Sequence, residues 1–201
     1  MKMQIVIIGA GGHGRVVADI ARLLGYQDIG FLDDQPVAGV RQLGVVSDFE
    51  KYIHSADFFV AVGNNRIRQM LFEKLDHSGA NIVNLLHPNA VIAADVTFGR
   101  GVAVMAGAVV NTGSHIADGA IINTCASADH DCNVEAFSHI SVGSHLAGTV
   151  TVGARTFVGA GAVVINNLSV CEDCMIGAGA VVIRSVDMPG TYIGCPARKM
   201  D

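Results

Sequence analysis

The sequence predicts an α/β domain of parallel strands and helices, followed by an all-β parallel β-helix. Two observations carry this prediction. Over residues 1–87 short aliphatic runs alternate with helical patterns, and from Ile92 to Val182 an aliphatic or small apolar residue occupies every sixth position without a frame break. Composition fits as well: the 201 residues are 51% hydrophobic and only 15% charged, with 24 Gly and no Trp. Val, Ile and Ala suit the bore of a solenoid, and Gly and Asn suit its corners.

In chain order, Gln4 to Ile8 is a short aliphatic strand, followed by Gly9-Ala10-Gly11-Gly12-His13-Gly14 and an amphipathic helix to about Gly25. A second strand, Ile29 to Leu32, ends in Asp33-Asp34. A third, Asp57 to Val62, ends in Gly63-Asn64-Asn65 and leads into a helix carrying Ile67, Met70, Leu71 and Leu75. Asn81 to Leu86 reads as a fourth strand, stopped at the linker His87-Pro88. Strands that alternate with helices build a parallel sheet through right-handed crossovers. The glycines at 9, 11 and 14 satisfy G-x-G-x-x-G between a strand and a helix, and Asp33 follows at close to the spacing that holds a ribose. Glycines let backbone amides approach a phosphate at a helix N-terminus, where the dipole favours an anion. A full dinucleotide site needs two such halves and only one fits here, so the expectation is a nucleotide-binding half-fold, with a purely structural turn as the alternative.

The second domain, 88–201, rests on the sixfold frame, which runs from Ile92 through Val110, Ala128, Leu146 and Val164 to Val182. A second, mostly small register sits two residues earlier, at Ala108, Ala126, Cys132, Ser144 and Ala162. Neither a helix nor a plain strand generates a lasting period of six, whereas a solenoid buries one large and one small side chain per short strand and then turns. The period itself fixes neither the hand nor the cross-section of the coil. Cys132 and Cys174 fall in the small inward register and read as core. Against this background Asp129-His130-Asp131 stands out as an imidazole between two carboxylates, just past inward Ala128. A solvated corner histidine is the alternative.

Several classes are disfavoured. A net charge of −5 gives no nucleic-acid surface. The N-terminal apolar stretch breaks at Gly9, no run approaches the ~20 residues of a membrane span, and five cysteines do not suit a disulfide framework; the expected location is cytoplasmic. One C-x-x-C, Cys171 to Cys174, lacks a second pair, so no metal site is expected.

A GAGGHG domain joined to a hexapeptide solenoid, with NTCASADHDC in its middle and GCPAR near its end, resembles the hexapeptide-repeat sugar acetyltransferases of bacterial surface-glycan synthesis. Some of these act on nucleotide-linked 4-amino-4,6-dideoxy sugars such as the bacillosamine precursor, and others are described as sialic acid O-acetyltransferases. The resemblance implies a left-handed, triangular β-helix of about five coils, a homotrimer, a nucleotide-sugar substrate and acetyl-CoA as donor. It implies that His130 is the general base with Asp131 beside it, and that Asn123 contacts the substrate or orients the base. His139, Ala160 and Ala178 would line the acetyl-CoA site. Gly148 is read as an amide donor to the developing oxyanion. Nucleotide contacts map to Gly11, Gly12, His13, Asp33, Asp34 and Gly63. His115 and His145 read as outward solenoid residues. Arg198-Lys199 meets CoA phosphates or is a solvated basic tail. Two alternatives to an N-acetyltransferase stay open: an O-acetyltransferase of a sialic acid or similar sugar, and a catalytically silent scaffold of a glycan-assembly complex.

Overall fold

The computed structural model describes residues 4–200. The chain divides into two compact units, Met1–Pro88 and Asn89–Asp201.

The first unit is built on strands β1 (Gln4–Ile8), β2 (Ile29–Leu32), β3 (Gln42–Gly44), β4 (Ala56–Val60) and β5 (Asn81–Ile82), with helices α1 (Gly12–Leu23) and α2 (Asn65–His77) and a 3₁₀ helix, Val46–Tyr52. All pairings are parallel, in the order β3-β2-β1-β4-β5. Central β1 is an unbroken aliphatic run because both of its faces are covered: Ile5, Val6 and Ile7 are fully buried. Helix α1 buries Val17, Ala18, Ile20 and Ala21. Strand order reverses between β2 and β4 on either side of β1, which is the switch point where such sheets bind ligands.

The structure differs from the sequence reading at several places. The third expected strand starts one residue earlier and ends two earlier, at Val60. The expected fourth strand, 81–86, is two pieces, Asn81–Ile82 and Leu85–Leu86, and only the first joins this sheet. The strand Gln42–Gly44 and the 3₁₀ helix have no counterpart in the reading, since the strand's side chains are half-buried throughout and the 3₁₀ helix buries Phe49 alone, so neither shows a period.

The second unit winds through three parallel sheets, one strand of each in turn. The first face carries Val91–Ile92, Val109–Val110, Ser127–Ala128, His145–Leu146, Val163–Val164 and Val181–Val182. The second carries Thr97–Phe98, His115–Ile116, Asn133–Val134, Thr151–Val152 and Ser169–Val170. The third includes Ala103–Val104, Ile121–Ile122, His139–Ile140, Phe157–Val158 and Cys174–Ile176. Each residue therefore pairs with the one eighteen positions on: Ser127 with His145, His145 with Val163. The second residue of each strand points into the bore, and Val110, Ile116, Ile122, Ala128, Val134 and Ile140 are fully buried. Small polar residues in the bore are satisfied by the backbone. Ser114 Oγ donates to the Asp129 carbonyl at 2.9 Å and accepts from Cys132 N at 3.2 Å.

A second sixfold register governs the corners. Every sixth residue from Gly101 to Gly179 has a positive φ. Glycine fills half of these positions at no steric cost, but Cys125, Asp131, Phe137, Thr149, Arg155, Asn167 and Asp173 adopt the same left-handed conformation. The glycines that follow inward residues serve another end. A Cβ on Gly153 would lie 2.4 Å from Glu172 N, and one on Gly159 2.6 Å from the Ile176 carbonyl oxygen, so they permit close approach of the next coil.

The helix runs further than the sixfold frame from Ile92 to Val182. Val186 bridges Val170, sixteen residues back rather than eighteen, so the last corner is shortened by two residues. Gly190–Ile193 then pairs parallel with Cys174–Ile176, and Arg198–Lys199 returns antiparallel to cap it, giving about six turns rather than five.

Candidate active site

His130 sits at the corner leaving the first face, two residues past Ala128. Its Nδ1 lies 2.8 Å from Asp131 Oδ2, so Nδ1–H donates to the carboxylate and Nε2 is left as the acceptor. The backbone makes this geometry possible. Asp131 occupies a left-handed corner position, with φ 56. Its N–H donates to the Thr112 carbonyl of the coil below, while the His130 carbonyl accepts from Thr149 N of the coil above. Glycines flank the pair in both neighbouring coils. A Cβ on Gly113 would lie 2.3 Å from Asp131 Oδ1, and one on Gly148 2.3 Å from His130 Nε2. Gly148 is thus the cradle of the imidazole.

Asp129 completes the corner. It accepts from His130 N at 2.9 Å and from Asn111 Nδ2 at 2.8 Å, and the Asn111 bond, then the His130 amide, holds its carboxyl below the ordinary range. His130 is raised above its usual pKa, chiefly by the hydrogen bond to Asp131 and then by the charges of Asp129 and Asp131. Asn111 and Gly113 went unmarked in the sequence because an Asn or Gly in a coil is ordinary; only the eighteen-residue spacing links them to the corner.

The other solenoid residues lie on a different edge. Asn123 follows the third face, and its Nδ2 is 2.9 Å from His139 Nε2 of the next coil. His139 is buried and meets Phe157 edge-on at 4.9 Å. Ala160 and Ala178 stand exposed on the same edge in the following coils. Within one chain the first face separates this edge from His130. His115 and His145 are exposed, hydrogen-bonded to Thr97 and Ser127.

In the first unit, Gly11–His13, Asp33–Asp34 and Gly63 all follow the carboxyl ends of β1, β2 and β4. The glycines divide by role. Gly9 (φ 100) and Gly14 are steric, since a Cβ on Gly14 would lie 2.1 Å from the Gly9 carbonyl oxygen. Gly11 and Gly12 face open space, and no side chain caps the first turn of α1. Asp33 braces the loop: Oδ2 accepts from Ala10 N at 2.8 Å and Oδ1 from Gln35 N at 2.9 Å. Asp34 accepts from Val46 N. Arg68, in the first turns of α2, is 1% exposed and donates to the Val62 and Gly63 carbonyls and to Asn65 Oδ1. Burial, with the charge of Arg68 second, lowers the His13 pKa to about 4, so this imidazole is neutral at working pH.

Cys132 and Cys174 are buried, and the Cys171 and Cys174 sulfurs lie 3.4 Å apart. Among the described residues no cluster of three His, Cys, Asp or Glu could hold a metal, and no helix is long and apolar enough to cross a membrane.

Residues 4–75 match the family model of the PglD N-terminal domain. The acetyltransferase domain of PglB from Neisseria gonorrhoeae FA1090, solved in complex with acetyl coenzyme A, is 40% identical over 100% of both chains with a TM-score of 0.96. PerB from Caulobacter crescentus, in complex with CoA and GDP-perosamine, is 42% identical, with 98% of this chain and 97% of that one covered and a TM-score of 0.95. The GDP-perosamine N-acetyltransferase of Escherichia coli O157:H7 is 28% identical over 79% of this chain and 76% of its own. The fold is that of the left-handed β-helix acetyltransferases.

Two outcomes follow from this geometry. Gly148→Ala pushes against the far end of an exposed side chain rather than against backbone, so it leaves the melting temperature nearly unchanged while displacing His130; turnover, measured beside the melting curve, falls about 10²-fold or more. Unfolded chains protonate histidine near pH 6.5, and the folded protein resists protonation of His13 down to about 4. The unfolded state therefore binds the extra proton in that window, and stability falls as pH drops through it. Urea unfolding between pH 7 and 4 should show this loss, and His13→Gln should flatten it.

Proposed function

Because the chain belongs to the family of nucleotide-amino-sugar N-acetyltransferases that join a PglD N-terminal domain to a hexapeptide β-helix, we propose that it transfers acetyl from acetyl-CoA to the amino group of a nucleotide-linked 4-amino-4,6-dideoxy sugar. The observation that carries the mechanism is the His130 ring, fixed through Nδ1 by Asp131 and laid over a bare Gly148. A sugar ammonium has no lone pair, so a proton must leave before or during attack. Once the ammonium has lost one proton to solvent, the free amine attacks the thioester carbonyl carbon, His130 Nε2 takes a second nitrogen proton, and Asp131 stabilises the imidazolium that forms. The tetrahedral oxyanion is met by the Gly148 amide. Collapse breaks the carbon–sulfur bond, and the imidazolium returns its proton to the departing CoA thiolate. Transfer is direct: Cys132 is buried, hydrogen-bonded to the Ala147 carbonyl, and held by burial in its thiol form.

The nucleotide belongs to the first unit, where Gly11 and Gly12 leave the α1 amides open and neutral His13 adds a polar contact. Asp33 and Asp34 shape the loop and meet the nucleoside with their remaining lone pairs, and Gly63, held from behind by Arg68, closes the switch point.

The assembly in this reading is a homotrimer. His130 and the group Asn123, His139, Ala160 and Ala178 flank the first face on opposite edges, so only a neighbouring copy brings them together. That face and its edges also display Val91, Val142, Ile165 and Ile183, each more than a third exposed, whereas the second face presents Thr97, His115, Asn133, Thr151 and Ser169. A heterologous contact of this kind closes by cyclic symmetry. In this reading the reaction is cytoplasmic and its product supplies surface-glycan synthesis.

Incubation with acetyl-CoA and a panel of UDP-, GDP-, dTDP- and CMP-linked amino sugars, read by mass spectrometry, should give an acetylated nucleotide sugar. Acetylation of a sialic acid hydroxyl instead would overturn the amino-group reading. His130→Ala should lose roughly 10²- to 10⁴-fold in kcat with little change in KM. Only neutral His130 accepts a proton, so the rate rises with pH through its pKa, which Asp131 raises. Asp131→Asn keeps a side chain tolerant of the left-handed corner and should move that acidic limb to lower pH. If His130→Ala keeps more than about a tenth of kcat, the base lies elsewhere.

A further inference from the structure

We infer that Cys171 and Cys174 are a redox-active thiol pair, a modification site at which the two sulfurs join as a low-molecular-weight disulfide is reduced. The fold asks for neither cysteine. Cys174 stands in a column of inward residues with Ser138 and Thr156, each eighteen residues on. Ser138 Oγ donates to the Gly153 carbonyl at 2.8 Å and Thr156 Oγ1 to the Cys171 carbonyl at 2.7 Å. A hydroxyl therefore suits this place. Cys174 Sγ makes the corresponding contact to the Met188 carbonyl at 3.6 Å, and a thiol is the weaker donor. Cys171 stands where the two preceding coils carry Glu135 and Gly153. Cys132, by contrast, sits in the bore with its thiol given to the Ala147 carbonyl at 3.3 Å.

What the pair gains is proximity. Glu172 and Asp173 are the central residues of a corner turn, Asp173 with φ 56. Residues flanking such a turn have Cα atoms under about 7 Å apart, the range that a disulfide needs. The sulfurs lie 3.4 Å apart and have about 1.4 Å left to close. The turn is pinned from the preceding coil, where Arg155 donates to Asp173 at 2.9 and 2.8 Å and pairs with Glu172. The Cys171 amide donates to the Val186 carbonyl at 2.8 Å and the Cys174 amide to Thr156 Oγ1 at 3.0 Å. Side-chain rotation on this fixed backbone is enough to form the bond.

The two thiols are unequal, and this orders the reaction. Cys171 is half-buried, whereas Cys174 is 3% exposed, and burial, then the Cys171 thiol beside it, pushes its pKa up to about 12. Cys171 gives its proton to solvent and attacks one sulfur of the small disulfide, forming a mixed disulfide and expelling one small thiolate. That thiolate takes the Cys174 proton. The Cys174 sulfur then attacks Cys171 Sγ and expels the second small thiolate, which is protonated from solvent. Two protein thiols become one disulfide, and one small disulfide becomes two thiols.

The test is incubation of the native, reduced protein with glutathione disulfide, followed by acid quench, tryptic digestion and mass spectrometry. Peptide 156–184 carries both thiols and no other cysteine, so its mass reports the pair alone. The expected product is this peptide lighter by two hydrogens, restored by dithiothreitol. Cys174→Ser, a residue of the kind its column already holds, should stop with one glutathione on Cys171. Cys171→Ser should leave Cys174 unmodified, because the buried thiol reacts only through its neighbour. The wild-type digest decides by itself if either variant fails to fold. A stable glutathione on wild-type Cys171, or an unchanged peptide while exposed Cys125 and Cys195 react, would overturn the assignment.

Discussion

The backbone ladder between coils is the constraint on which the rest of the solenoid depends. Because each strand pairs with the strand eighteen residues on, every position of a coil is stacked on its equivalents above and below. A side chain at a corner is free to vary only if the residues one coil away make room. Asp131 needs Gly113 beneath it and His130 needs Gly148 above it, and the same rule sets Phe137 over Gly119. The ladder also fixes conformation, since one residue in six must turn through the left-handed region whether or not it is glycine. Asp131 accepts that conformation at a cost of about 1–2 kcal/mol and gains the short tether that brings its carboxylate to 2.8 Å from the ring beside it.

The ladder converts sequence position into place along a groove. Residues that recur every eighteen positions form columns, and the column through His130 runs to Arg184 at the capped end. Another column system, on the edge leaving the third face, carries Asn123, Ala160 and Ala178. A rigid prism cannot fold these edges onto each other, so catalysis that needs both needs a second copy. The first unit has a different logic. Its loops are tied by Asp33, Asp34 and Arg68 so that Gly11, Gly12 and Gly63 remain uncluttered at the carboxyl edge of the sheet.

Much of this was legible in the residues. The inward frame from Ile92 to Val182 reads directly because a period of six has no other source, and the family resemblance carried by GAGGHG and NTCASADHDC agrees with the relatives. The left-handed corner register was harder to see, although glycine marks it at 101, 107, 113, 119, 143, 161 and 179, because Cys125, Asp131 and others interrupt it. Gln42–Gly44 and the 3₁₀ helix were missed because short, half-buried segments carry no hydrophobic period. Arg68 carried no signal in the sequence, and only the loop carbonyls to which it donates explain its burial. Asp33 matched a ribose-binding spacing, yet both its oxygens already hold backbone amides, a role that spacing alone does not reveal.

The central claim is that a working site joins the His130 edge of one copy to the Asn123–Ala160 edge of the next, and subunit mixing tests it directly. His130→Ala removes the base, and Ala160→Trp obstructs the opposite edge, so each variant alone should be inactive. Any mixed trimer contains one junction of three in which an intact His130 edge meets an intact Ala160 edge. Co-expressed, doubly tagged mixed trimers should therefore recover about a third of wild-type activity. Mixed assemblies as inactive as either parent, or full activity from a species that light scattering shows to be a monomer, would contradict the account.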